Sequence, residues 1–289
     1  MLLQLMLNGL VIGSCYALVS LGFALVYNTT RIFHIGYSVL FMCCPYFVLF
    51  FMRFFHFPFF AAFVISIVLT ILLSMAMELI VYQPLRRKRS SLDVMMVSSI
   101  GIMIIVLNLI SLLFGNETQI LNTNISKSVS LFGLIITTTQ IIQLSVNMIL
   151  IFAFAGFLKY SNFGLRARAM RDDETLFTIF GNNINLSRLS LFAASGFLAA
   201  VGGGLIAYDV GMDPYVGMPI FLVSVVALII GGVGRFEAPV IGGFIIGLLQ
   251  SIAVWSFSAR WNDAITFSLL ILFLLFRPRG LMGEKKRLA

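Results

Sequence analysis

Residues 159–188 hold the side chains whose types and spacing are most suited to chemistry. Lys159 leads to Arg166, Arg168 and Arg171. The acidic trio Asp172, Asp173 and Glu174 follows directly, then Leu176, Phe177, Ile179 and Phe180, Gly181, and finally Arg188. This pattern suits charge-assisted docking rather than bond breaking. Carboxylates at the start of a short helix meet the positive end of its dipole, the four apolar residues supply a stripe, and a glycine is a common helix terminator. Three outcomes fit these residues: an amphipathic helix lying along a membrane face, a helix that docks a soluble partner, or a solvated loop of arginines.

A second set of polar residues is dispersed among apolar ones. Asn8, Ser14, Tyr16 and Ser20 fall within the first apolar run, and His34, Tyr37 and Ser38 follow it. Together they are candidates to line a pathway for a small, largely neutral solute. Each also reads as a helix-to-helix hydrogen bond, as do Ser98, Asn108, Ser224 and Gln250. Ionisable groups are scarce in the apolar runs: Glu78 lies near one span end, Asp209, Asp213 and Asp263 near the others. An ion-coupled carrier needs a carboxylate at mid-depth, and such a group costs about 2.5–3.5 kcal/mol there. The scarcity therefore argues against a proton- or sodium-coupled transporter and against a channel for charged species.

Catalytic signatures are missing. No Gly-x-x-x-x-Gly-Lys-Ser/Thr loop is present, so the chain is not expected to hydrolyse ATP by itself, and no His-Glu-x-x-His occurs. With His34 and His56 as the two histidines, a histidine-based metal centre is excluded. Cys15, Cys43 and Cys44 sit in apolar segments and read as small packing residues, not as a disulfide framework.

The elements that must position these residues are membrane spans. The chain is 60% hydrophobic and 10% charged, against about 25% charged in soluble domains. Apolar runs long enough to cross a bilayer recur throughout. They predict an all-α, polytopic transmembrane helical bundle of eight or nine spans in a single transmembrane domain over 1–289, with a short cytoplasmic helix in the charged loop 159–188. Spans are placed at 3–27, 32–55, 59–83, 93–114, 138–158, 187–208, 218–233, 238–257 and 262–276. Pro45 and the Gly231–Pro239 break mark 32–55 and 218–257 as places where a span can be interrupted or re-entrant. The loop 115–137 reads as polar, rich in Asn, Thr and Ser. The first apolar run is expected to remain as a span rather than be removed as a signal peptide.

The net charge of +8 does not signal nucleic acid, because the cations cluster in short loops. Arg86–Arg89, Lys159–Arg171 and the tail Arg277–Arg287 fall on one side under this count, with Arg53, Lys127 and Arg260 on the other. By the positive-inside rule the first side, with the C-terminus, is cytoplasmic.

Several segments together resemble the LivH-type permeases of branched-chain amino-acid ABC importers, of which urea and amide importer permeases are close relatives. They are Leu7-Asn8-Gly9-Leu-Val-Ile-Gly13-Ser-Cys-Tyr16-Ala17-Leu18 with Gly22, Val26 and Tyr27; Arg168-Ala-Met-Arg171-Asp172-Asp173-Glu174 with Gly181-Asn182; and Leu274-Leu-Phe276-Arg277-Pro278-Arg279-Gly280-Leu281-Met-Gly283. Val81-Tyr-Gln-Pro84-Leu85-Arg86 and Gly231-Gly232-Val-Gly234 with Pro239 to Gly243 also fit. The stretch Arg31-Ile-Phe33-His34-Ile35-Gly36-Tyr37-Ser38 departs from the family's usual Asn-Phe-Ala-His-Gly. Cys43-Cys44-Pro45-Tyr46 stands where Leu-Gly-Ala-Tyr is common.

The resemblance implies a multi-pass subunit of a bacterial inner membrane, paired with a second related permease. It further implies two cytoplasmic ATP-binding subunits docked on the loop from Arg166 to Gly181, and an extracytoplasmic solute-binding protein. No cofactor is expected in this chain; ATP and magnesium are expected in the ATP-binding subunits. A stand-alone secondary transporter of a small neutral or zwitterionic solute is the alternative, and a membrane enzyme or scaffold a more remote one.

Overall fold

In hydrocarbon every backbone N–H and C=O must find a partner within the chain, so apolar runs fold as helices. The computed structural model describes residues 2–121, 128–131, 134–256, 261–277 and 280–283. In chain order, α1 is Leu2–Thr30, α2 Tyr37–Phe54 and α3 Phe59–Met77. A π-helical turn at Glu78–Tyr82 leads into α4, Gln83–Arg87, and then α5, Leu92–Phe114. Strands β1 (Ser128–Leu131) and β2 (Leu134–Thr137) precede α6, Thr138–Tyr160. Next come α7 (Asn162–Asp172), α8 (Glu174–Ile179), α9 (Ile184–Val210), α10 (Gly217–Gly231), α11 (Ala238–Ser256) and α12 (Asn262–Phe276).

Nine of these helices fall on the nine expected spans. Seven are long and apolar enough to cross a bilayer among the described residues, whereas α10 and α12 have 15 residues each. At 1.5 Å per residue those two cover roughly 22 Å of a core about 30 Å thick. The segment between α10 and α11 is broken, in keeping with its glycines, whereas Pro45 leaves α2 continuous over 18 residues. The polar loop over 115–137, in a chain expected to be all-α, contains the antiparallel hairpin β1–β2, with Ser128 opposite Thr137.

The chain divides into two compact units. One comprises Met1–Ala24, Asn124–Ala155 and Pro219–Ala289. In it Val223, Val226, Ala227, Ile230 and Ile246 form a buried cluster, against which Tyr16, Leu270, Phe273 and Leu281 pack. The two faintly similar stretches Asn8–Gly13 and Gly242–Gly247 lie directly against each other here. A Cβ at Gly247 would sit 2.3 Å from the Gly13 Cα, and one at Gly243 2.4 Å from the Ala17 nitrogen. Two backbones approach this closely only where both present hydrogens. Ser20 strengthens the unit by donating to the Ser224 carbonyl (2.9 Å), and Leu281 and Met282 donate their N–H groups to the Ile230 and Gly231 carbonyls (2.9 and 2.8 Å). The C-terminal motif thus supplies partners for the orphan carbonyls at the end of α10.

The other unit comprises Leu25–Thr123 and Gly156–Met218. Its centre is the mutual packing of α2, α3 and α9. Helix α3 is apolar outward and polar inward: Ser66, Thr70 and Ser74, four residues apart, are all buried, while Phe60, Val64, Val68 and Leu72 are exposed. Ser74 donates across to the Phe192 carbonyl (2.7 Å). Proline has no N–H for the i−4 carbonyl, so Pro45 frees the Phe41 carbonyl. That oxygen lies where a Cβ on Gly203 would fall, 1.9 Å away. The neighbouring helix therefore packs tightly on the proline turn, and α2 runs on through it.

The glycine contact gives a direct stability test. Gly247→Leu should lower the thermal midpoint of the detergent-solubilised protein clearly, since overpacking costs about 1–3 kcal/mol or more. Gly101→Ala, where a new Cβ meets nothing within 4 Å, should leave the midpoint within about a degree of wild type or raise it slightly.

Candidate functional site

The charged loop folds as two short helices. Ser161 caps α7 by accepting from the Gly164 N–H (3.2 Å). Arg168 reaches back to the end of α6, donating to the Leu158 carbonyl at 2.5 Å and the Lys159 carbonyl at 3.4 Å. A cation on those terminal carbonyls complements the negative end of the α6 dipole. Arg171 pairs with Asp172 at 2.8 Å. Asp173 ends α7 and caps α8, accepting from the N–H groups of Thr175 (2.7 Å) and Leu176 (3.0 Å). Gly181, at φ +78°, turns the chain out of α8, and its N–H bonds the Thr178 carbonyl (2.9 Å). Asn183 then caps α9 through Asn185 and Leu186.

The four apolar residues of α8 do not share one environment. Phe177 is 3% exposed, whereas Leu176, Ile179 and Phe180 are 52%, 72% and 80% exposed. Phe177 anchors the turn, and the other three are exposed apolar residues of α8. Between α7 and α9, Phe163, Arg166, Ala167, Leu186 and Leu191 line a cleft of about 210 Å³, with Arg166 exposed. Glu174, the first residue of α8, is held by Arg188 of α9 at 2.5 Å. That pair is partly exposed and contributes up to about 1 kcal/mol.

The charges missed as a group in the sequence lie behind this loop. Glu78 is 2% exposed and ion-paired with Arg86. The Arg86 guanidinium also feels both Arg188 and Glu174 electrostatically. The π turn that precedes cationic α4 packs on α9, the helix of Arg188, at one end of the unit. At its other end Arg53 donates to Gln119 (2.6 Å), and Gln119 pairs by backbone bonds with Met212. Lys127, Arg260, Pro278, Arg279 and residues 284–287 of the tail lie outside the described residues.

Between Glu78 and Arg86, eight residues apart, the chain is wound as a π turn, with the Gln83 N–H bonding the Glu78 carbonyl. Pro84 accounts for it. In a regular helix its ring would meet the Ile80 carbonyl, and a widened turn relieves that clash. An ionisable residue within an apolar run, followed by Arg86 and Arg87, was the signal available in the sequence.

The candidate pathway residues separate into two groups. In the first unit Asn8 accepts from Gln4 (3.2 Å), Ser14 donates to the Val11 carbonyl (2.7 Å), and Asn147 donates to Ser14 (3.1 Å). Tyr16 packs on the apolar cluster and Ser20 bonds Ser224. Gln143 and Asn147, two buried amides that complete this polar group with Cys15, were not singled out from the sequence. In the second unit His34, Tyr37 and Ser38 are all buried. The His34 Nδ1 meets the Tyr82 hydroxyl at 2.6 Å, and Ser38 donates to the Ile35 carbonyl (2.8 Å). The Gly36 N–H donates to Ser99 (2.7 Å). His34 and its neighbours are thus brought together with Tyr82 and Ser99. The three free cysteines are buried, in line with the packing role read from the sequence.

A multi-helix, membrane-spanning permease is the class defined by these spans and by inward-turned polar groups. Residues 5–274 match the family described as the permease component of the branched-chain amino acid transport system, and the chain belongs to that family. It is 28% identical to the high-affinity branched-chain amino acid transport system permease protein LivH of Salmonella typhimurium, over 98% of this chain and 96% of that protein. The corresponding permease BraD of Pseudomonas aeruginosa is also 28% identical over the same shares. Among solved structures, PsaBC from Streptococcus pneumoniae in complex with Fab superposes with a TM-score of 0.50 at 13% identity, covering 97% of this chain and 92% of that one. That likeness concerns the fold.

The cap on α8 is testable by hydrogen exchange. Asp173→Ala removes both capping bonds, a loss of about 1 kcal/mol. Amides of Thr175–Ile179 should then exchange about fivefold faster, while those of α9 beyond its first turn keep their wild-type rates.

Proposed function

We propose that this chain is the transmembrane permease subunit of an ATP-driven ABC importer for branched-chain or related amino acids, working in a bacterial inner membrane with its C-terminus in the cytoplasm. It forms the translocation pathway with a second, related permease. Two cytoplasmic ATP-binding subunits supply the energy, and their ATP and magnesium are bound there. An extracytoplasmic solute-binding protein delivers the solute. Selectivity can reside largely in that binding protein, which suits the mild polarity of the spans.

One observation carries the docking part of this reading. The cationic, loop-bearing face holds a capped two-helix segment whose outer surface is apolar at Leu176, Ile179 and Phe180. Apolar residues on a charged rim are what a soluble partner covers. Rigid-body movement of such a partner can then shift the spans attached to the segment.

The test is reconstitution of the chain with its partner permease, ATP-binding subunits and binding protein in proteoliposomes. Branched-chain amino acids should stimulate ATP hydrolysis and drive uptake. Phe180→Asp combined with Ile179→Asp should reduce co-purification of the ATP-binding subunits by about tenfold or more. Charge reversal at Asp173 and Glu174 should lower it as well. Uptake driven without ATP or the other subunits, or full co-purification of these variants, would overturn the reading.

A further inference from the structure

We propose that Arg86 and Glu78, with Tyr82 between them, are positioning residues that carry a displacement of α8 into the buried connection between α1 and α2 around His34. The proposal rests on the reading of 159–188 as the segment on which the ATP-binding subunits dock.

The path consists of contacts within one compact unit. Glu174 opens α8 and is bound to Arg188 in the first turns of α9 at 2.5 Å. Arg188 is 8% exposed. Its charge and that of Glu174 act in opposite directions on Arg86, and Arg86 is paired with the buried Glu78. Two ion pairs thus lie at the end of α3 and the start of α9, and α9 packs on both α3 and the π turn. Removing Arg86 would leave the buried Glu78 uncompensated, which is far more costly than losing an exposed pair.

The π turn joins this group to the interior. It begins at Glu78 and ends at Tyr82. The Tyr82 hydroxyl meets His34 Nδ1 at 2.6 Å. Ser99 of α5 accepts from the Gly36 N–H at 2.7 Å. His34 is thus tied to the π turn and Gly36 to α5, with the Phe192 ring 5.3 Å from His34 and 5.5 Å from Tyr82. The segment they hold, residues 31–36, is non-helical and begins with Arg31 at φ +59°. The Tyr82–His34 bond joins the π turn that Glu78 begins to the residues just before α2.

The charge group also has room for a second arrangement. Glu78 Oε2, Arg86 Nε and Nη1, and Arg188 Nε are buried without hydrogen bonds among the described residues. Unspent donors and an unspent acceptor side by side favour re-pairing when α8 moves, for example of Glu174 from Arg188 to Arg86. Two discrete pairings are what a mechanical coupling requires. π turns inside helices recur at functional sites for the same reason: the ladder there is already loosened.

The assembled importer in proteoliposomes is the system for the test, and solute taken up per ATP hydrolysed is the readout. Arg86→Gln should lower that ratio about tenfold with the ATP-binding subunits still co-purifying, and Arg188→Gln should lower it comparably. The double variant should be no worse than the weaker single, because both break one network. Arg86→Lys, which keeps the charge, should recover most of the ratio. Tyr82→Phe removes one hydroxyl at nearly constant volume and should lower the ratio about fivefold; it serves where Arg86→Gln fails to assemble. Wild-type ratios in Arg86→Gln or Tyr82→Phe, or losses that multiply in the double variant, would overturn the proposal. A wild-type chain that neither binds the ATP-binding subunits nor stimulates them would instead overturn the docking reading on which it rests.

Discussion

In a bilayer the hydrophobic effect does not press one helix against another, since lipid tails are as apolar as leucine. The helices of this chain are held by what remains: close backbone approach and polar groups turned inward. The Gly13–Gly247 crossing shows the first, with a distance that leaves no space for a side chain. The inward row Ser66, Thr70 and Ser74 shows the second. The usual amphipathic pattern is inverted in α3, whose apolar residues face outward and whose hydroxyls are buried, Ser74 reaching α9.

The same constraint explains how the chain manages its few charges. Glu78 and Arg86 would be prohibitive as isolated ions in hydrocarbon. They are tolerable as a pair at the end of a span, next to Arg188 and Glu174. Pro84 contributes by forcing the widened turn that brings Glu78 and Arg86 together. A sequence feature that reads as a helix breaker thus serves to assemble a charge group. Pro45 acts comparably in α2, where the carbonyl it frees is packed against Gly203 rather than left to break the helix.

The sequence made much of the fold legible, for an identifiable reason. Span placement depends on local hydropathy, and each of the nine predicted runs coincides with a helix to within a few residues. Helix ends were also readable where a side chain acts on its own neighbourhood, as Asp173 and Gly181 do at the two ends of α8. The hairpin β1–β2 was not legible, because Ser, Val and Leu in a short polar stretch carry too weak a period-two pattern. The burial of Phe177 beside exposed Phe180 was equally hidden. On a one-and-a-half-turn helix, orientation is set by what the helix rests on.

The sequence alone determined that this is a polytopic helical protein, that its cations gather at certain loops, and that one charged segment stands apart. These follow from composition and short-range spacing, which act before any long-range contact forms. Tertiary structure alone decided which residues meet. Asn8–Gly13 found Gly242–Gly247, Leu281 found Ile230, Glu174 found Arg188, and His34 found Tyr82, across separations of 14 to more than 200 residues. Such pairings depend on helix rotation and crossing. In lipid those are set by the fit of small residues and the need to satisfy each buried polar group, and neither is encoded at any single position of the chain.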